Sequence, residues 1–150
     1  MEPLVERLSE PLAKYLPLLG RLLLSVIFIQ GGISKIEDIG RTVATMSSHG
    51  VPFADLLVYP TIALELGGGL LLLAGLWTRW VALALCLYTL VLALTFHAFW
   101  TFLPPDFRTQ RGAFFEHLGL MGGLLYIVAF GPGPFSLEWL FRPARRLARA

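Results

Sequence analysis

The sequence predicts an all-α integral membrane protein: a four-transmembrane-helix bundle with short interfacial helices in the N-terminal segment and the first long loop. Three observations predict it. Four apolar runs, Leu16–Ser34, Leu56–Trp77, Trp80–Leu103 and Ala113–Gly131, fill most of the 150 residues. Each is near the length of about 20 residues that a helix needs to cross a hydrocarbon core about 30 Å thick. Charged residues make up 15% of the chain and hydrophobic ones 56%, whereas a soluble domain carries about 25% charged residues. The charges sit almost wholly between and outside the runs. The stretches Leu22–Leu23–Leu24 and Leu70–Leu71–Leu72–Leu73 lack the alternation of a membrane barrel. Isolated strands and irregular segments would leave backbone N–H and C=O groups unpaired in lipid.

The elements follow in order. Leu4, Leu8, Leu12 and Leu16 recur every four residues beside Glu6, Arg7, Glu10 and Lys14, which predicts a short interfacial helix leading into the first span. Residues 1–15 carry no basic segment leading to a cleavage site and do not read as a signal peptide. Helix 1 runs to about Ser34. In the loop from Lys35 to Asp55, Ile39, Val43 and Met46 form an apolar stripe, and His49–Gly50–Val51–Pro52 is a helix stop. This predicts a short helix lying on the membrane. Helix 2 tolerates Pro60 in its first turn. The tight loop Trp77–Thr78–Arg79 makes helices 2 and 3 antiparallel neighbours. Pro104–Pro105 separates helix 3 from helix 4, which Pro132–Gly133–Pro134 ends. The whole chain, residues 1–150, reads as one membrane domain.

Four spans place both termini on one side. That side carries Arg7, Lys14, Arg21, Arg79, Arg142, Arg145, Arg146 and Arg149; the other carries Lys35, Arg41, Arg108 and Arg111. The excess predicts cytoplasmic termini in a multi-pass protein of the cell inner membrane. The net charge of +2 comes mainly from the C-terminal arginines. Topology and anionic lipid explain such a tail better than nucleic acid does, so no nucleic-acid partner is expected. Cys86 is the single cysteine, which excludes an intrachain disulfide or CxxC pair.

The spans contain polar intruders: Arg21 and Gln30, then Glu65, then His97, then Glu116 and His117. Ionisable groups at membrane depth mark pathways, sites or buried pairs. The topology brings Gln30, Lys35, Glu65, His97, Glu116 and His117 to the outer half of the bundle. At 100° per residue, Arg21, Phe28, Gly32 and Lys35 share one face of helix 1. Glu65, Gly68, Gly69 and Leu72 share a face of helix 2, and Glu116, Gly119 and Gly123 a face of helix 4. Glycine faces pack against helices, so Gly32, Gly68, Gly69, Gly119 and Gly123 are expected packing positions and the charges should point inward. His97 shares its face with Ala93 and Cys86. Glu65 is expected to pair with Lys35 or a histidine. Lys35 has the alternative of snorkelling to the headgroups, and His97 that of a belt residue beside Phe96, Phe99 and Trp100. Gln30 reads as interhelical glue, and Arg21 as an anchor at the cytoplasmic side.

Three functional readings remain open on these residues. Two histidines and two carboxylates suit a metal, although their spacing is not specific. An aromatic-lined apolar pocket with a histidine and a carboxylate suits a quinone. A polar chain across a bundle suits a proton relay in a small transporter.

The residues also resemble those of the DoxX family of small four-helix membrane proteins, from about Gly20 to Leu137. The resemblance rests on Gly20-Arg21 with Phe28-x-x-Gly31-Gly32-x-x-Lys35, and on Met46-x-x-His49-Gly50-Val51-Pro52. It continues through Glu65-Leu66-Gly67-Gly68-Gly69, Gly75-Leu76-x-Thr78-Arg79 and His97-x-Phe99-Trp100. It ends with Leu118-x-Leu120-Met121-Gly122-Gly123-Leu124-Leu125 and Gly131-Pro132-Gly133-x-x-Ser136-Leu137. Glu116–His117 stands where the resemblance implies Lys–Asn, a reversal of charge. The resemblance implies links to oxidative-stress and thiol-handling membrane complexes, and a distant branch is a subunit of a thiosulfate:quinone oxidoreductase. Cys86 alone supplies no redox pair, so sulfur chemistry is not expected of this chain itself. The reading is therefore an accessory or binding component of a redox-linked membrane complex, with other membrane or periplasmic redox proteins as partners and self-association open. A quinone-interacting oxidoreductase subunit is the alternative, and a small-molecule or metal transporter the third.

Overall fold

The first apolar run belongs to a helix longer than the run itself. In the computed structural model, which describes residues 4–141 with side-chain surroundings from residue 12, α1 is one helix, Leu4–Glu37. The expected interfacial helix is not a separate element. No glycine or capping residue lies between Lys14 and Leu19 to stop the chain, so the helix continues through Pro17. The side chains of Leu4 and Leu8 and the four tail arginines lie outside the described residues.

Asp38 ends α1 and starts α2, Ile39–Ser48, by accepting the Arg41 backbone N–H on Oδ1 at 2.9 Å. The stop at His49 forms as expected, with Gly50 at φ +74°. The α2 stripe of Ile39, Val43 and Met46 packs on Ala54 and Val58 of the next helix, with Phe96 beside it. The stripe thus faces protein where a membrane-facing position was expected.

The second span is α3 (Ala54–Ile62), a π-turn (Ala63–Gly67) and α4 (Gly68–Ala74) in one line. Gly75, at φ +69°, closes it and turns the chain into α5, Thr78–Phe96. A 3-10 turn, Phe99–Thr101, extends that span. The fourth span, α6, covers Asp106–Phe130 and starts earlier than its apolar run, because Arg108 and Arg111 fall in polar opening turns. A short α7, Leu137–Leu140, follows. The four spans hold 26, 21, 24 and 25 residues, and the shortest is about 31 Å long at about 1.5 Å per residue.

The core lies where all four spans meet: Phe28, Leu72, Ala82, Leu85, Cys86 and Leu124 are buried. Glycines bring α1 against the second span. A Cβ on Gly32 would stand 2.9 Å from the Leu66 backbone nitrogen, and one on Gly69 2.8 Å from Ile29 Cγ1. Gly68 lies against Leu85 and Gly123 against Leu24. The end of the bundle nearer the chain termini is called proximal below, the other end distal.

Candidate binding cavity in the distal half

Side-chain direction decides what Lys35 does. In a helix the Cα–Cβ bond tilts toward the N-terminus, so Lys35 leans back along α1 by about a turn. There it meets Glu65, which lies level with Gly31: a Cβ on Gly31 would stand 3.1 Å from Glu65 Oε2. Lys35 Nζ donates to Glu65 Oε2 at 2.6 Å. Snorkelling gives way to the ion pair. Glu65 is 4% exposed, and it sits within the π-turn, a distortion that recurs at functional sites. Its other oxygen accepts from Tyr88 Oη at 2.7 Å. Both carboxylate oxygens therefore have partners, one from α1 and one from α5.

Lys35, Glu65, Gln30, Glu116 and His117 line one cavity of about 710 Å3 between α1, α5 and α6. Phe28, Leu92 and Leu120 supply apolar wall, and Thr89 stands among them. Gly119 also lines it, and a Cβ there would have no neighbour within 4 Å. The expectation that Gly119 packs against a helix is corrected: α6 touches α1 at Gly123, and the cavity separates the two helices one turn further on. Gly32, Gly68, Gly69 and Gly123 do meet neighbouring helices.

His97 does not line this cavity. Helix α5 ends before it, and its Nδ1 lies 2.7 Å from Gln110 Oε1 on α6. Its ring stands 4.8 Å from that of His117. His117 Nδ1 lies 2.7 Å from the Ala113 carbonyl. A carbonyl only accepts, so His117 carries its proton on Nδ1 and, when neutral, offers Nε2 as an acceptor. The polar residues thus form two groups, Lys35–Glu65–Tyr88 and His97–Gln110 beside His117. Glu65 pairs with Lys35, one of its two expected partners, and takes its second hydrogen bond from Tyr88 in place of a histidine. Among the described residues no three His, Cys, Asp or Glu side chains converge to hold a metal.

Tyr88, Thr89 and Gln110 were missed by sequence reasoning, and Gly31 entered it only within the family motif. Tyr88 did carry a signal: it lies mid-span, away from the interfacial belt, where a buried hydroxyl needs a partner. A second, more polar cavity of about 480 Å3 opens at the distal end of α1, lined by Ser34, Asp38, Arg41 and Thr42. It shares Gln30, Gly31 and Lys35 with the first.

Arg21 is not an anchor reaching for headgroups. At 1% exposure it lies inside the proximal end, where Nη1 donates to the Pro132 carbonyl at 2.9 Å and Nη2 to that of Phe135 at 2.8 Å. It thereby ties α1 to the segment before α7. Glu138 of α7 accepts from the Thr78 backbone N–H and from Thr78 Oγ1, and its own N–H donates to the Gly75 carbonyl.

The comparisons agree with this architecture. The DoxX family profile matches residues 16–98, from the first span to Ala98. The chain belongs to the DoxX family. The SURF4 family profile matches residues 62–140, which includes α7 and the segment before it. Inner membrane protein YqjF of Escherichia coli (strain K12) is 34% identical over 125 residues, covering 82% of this chain and 89% of that protein. Inner membrane protein YphA of the same organism is 28% identical over 121 residues, covering 81% and 86%. No solved structure matches. With four membrane-spanning helices in contact with the bilayer, this DoxX-family chain is a multi-pass inner-membrane protein.

Proposed function

We propose that this DoxX-family protein is an accessory, ligand-binding component of a redox-linked membrane complex, and that its distal cavity holds a lipid-borne molecule by a polar head. The observation that carries the reading is the cavity itself. At about 710 Å3 it has the size of a small-molecule site. Five of the six polar residues singled out from sequence line one part of it, and aliphatic and aromatic carbon lines much of the rest. The redox link rests on family membership. With both termini in the cytoplasm, as the arginine and lysine distribution favours, the cavity opens in the periplasmic half and partners dock there.

A quinone-interacting subunit is the second reading, and one observation favours it. Tyr88, Glu65 and Lys35 form a hydrogen-bonded chain that leads to the polar distal cavity. Such a chain suits proton movement between a quinone head and water.

The test is purification in a mild detergent, then mass spectrometry of co-purifying small molecules. The expected result is about one lipid-borne molecule per chain, lost in Gly119→Leu, whose side chain projects into the cavity. Retention unchanged in Gly119→Leu, or nothing bound in several detergents, would overturn the reading. A bound quinone would select the second one. Cross-linking in intact membranes from Ser34→Cys, beside the distal cavity, should recover an electron-transfer protein. Recovery of copies of this chain alone would remove the redox-linked part.

A further inference from the structure

The charge balance of the cavity points to the kind of head it accepts. Lys35 and Glu65 neutralise one another at 2.6 Å. Glu116 lines the same cavity, about 15 Å along α6 from Asp106 at about 1.5 Å per residue. Among the described residues Glu116 makes no ion pair, the one such pair being Lys35–Glu65. Its neighbours on the wall do not supply a positive charge. His117 holds its Nδ1 proton against the Ala113 carbonyl and presents an acceptor when neutral. Thr89, 1% exposed, gives its hydroxyl proton to the Leu85 carbonyl at 2.7 Å and supplies no charge. Gln30 offers an amide of either polarity. Glu116 is exposed on α6, and around it the cavity holds one negative charge without a described ion-pair partner, His117 as an acceptor, and no cation besides the paired Lys35. An ion there is stabilised by a counter-ion with hydrogen-bond donors.

We propose that the cavity is a site for a primary ammonium group carried on an apolar body, with Glu116 as counter-ion and His117 as hydrogen-bond acceptor. The proposal rests on the reading of the cavity as a ligand site and specifies its ligand class. An aminophospholipid headgroup and a free long-chain amine share this chemistry. An acceptor-only head, such as an oxidised quinone, leaves Glu116 without a counter-ion.

The test uses the full chain in an uncharged detergent, with decylamine, decanol and decanoate as matched probes and isothermal calorimetry as the readout. Decylamine should bind about tenfold or more tightly than decanol, and decanoate most weakly, as expected where the head meets a carboxylate with no other counter-ion. Glu116→Gln should remove that preference and leave decanol binding unchanged. Its thermal midpoint should match that of the parent, which separates loss of binding from loss of fold. Equal affinity for decylamine and decanol, or a preference surviving Glu116→Gln, overturns the ammonium site but leaves the cavity reading standing. Failure of all three probes to bind overturns both. Nanodiscs with and without phosphatidylethanolamine then identify the source. Competition by that lipid names a membrane headgroup, and its absence names a free amine; either supports the site.

Discussion

The two ends of the bundle treat charge in opposite ways. At the proximal end Arg21 is enclosed and faces backbone carbonyls of the segment before α7, while Glu138 caps the start of α5. Only Nε of Arg21 lacks a partner among the described residues. At the distal end one carboxylate, Glu65, has a partner on each oxygen, whereas Glu116 faces a cavity with none described. A charge with matched partners fixes how helices sit. A charge beside a void remains available for something that enters. The proximal end is accordingly a clamp, and the distal end is where binding is to be sought.

The clamp should show the largest response. Arg21→Leu removes the donors to the Pro132 and Phe135 carbonyls and detaches α7 from α1. The expected loss is about 3 kcal/mol or more, since each buried acceptor left alone costs about 1–3 kcal/mol. It would be measured as a fall in the thermal midpoint of the purified protein. A near-parental midpoint would reduce the clamp to ordinary packing. Next in size is the ion pair. Lys35→Met leaves Glu65 buried without its cation, at an expected cost of about 2–4 kcal/mol, tempered by the 24% exposure of the Lys35 side chain. The double variant Lys35→Met with Glu65→Leu should recover part of that loss. A double variant equal to the sum of the two single losses would show that the pair does not act as a unit. Tyr88→Phe removes one hydrogen bond to a charged acceptor and should cost about 1–3 kcal/mol.

Glycines sharpen the contrast at smaller scale. Gly32→Ala forces a Cβ to 2.9 Å from the Leu66 backbone and should destabilise by about 1–3 kcal/mol. Gly119→Ala meets nothing within 4 Å and should be neutral or stabilising by up to about 1 kcal/mol, the helix preference of alanine over glycine. Equal losses at both would mean that the cavity is closed in the membrane.

How much of this contrast is legible in sequence depends on the distance over which each feature is encoded. Bilayer thickness imposes the four spans on the local sequence, so composition alone reveals them. Helical phase is also local, and it places Glu65, Gly68, Gly69 and Leu72 together on a face that is indeed buried. The clamp is different. The carbonyls that Arg21 meets lie 111 and 114 residues further on, and no periodicity within a helix announces them. Helix α7 is a single turn, too short for a repeating pattern. Glu65 sits in a π-turn and takes a hydrogen bond from Tyr88, 23 residues away on another span, and no local periodicity encodes either. Gly119 illustrates the limit most plainly. It shares its helix face with Gly123, which lies against Leu24, yet Gly119 opens on a void. Whether two helices stay together or part over one turn is a property of the packed bundle, and the spacing of glycines does not encode it.

Glu65 and Glu116 provide the finest separation, because they are the same residue type on the wall of the same cavity. Replacing Glu65 by Leu removes the acceptor of both Lys35 and Tyr88. It leaves an ammonium and a hydroxyl to find new partners inside the protein, and stability should fall by about 2–4 kcal/mol. Replacing Glu116 by Leu breaks no hydrogen bond or ion pair described in the structure. It also removes a charge that is costly in hydrocarbon surroundings, so the thermal midpoint should hold or rise, with a change within about 1 kcal/mol or in the stabilising direction. Measured side by side in ligand-free detergent, the two variants should differ clearly. A matching fall in both would mean that Glu116 has a structural partner. A rise for Glu116→Leu would mark it as a residue retained at the expense of stability, which is the signature expected of a binding group and not of a helix lock.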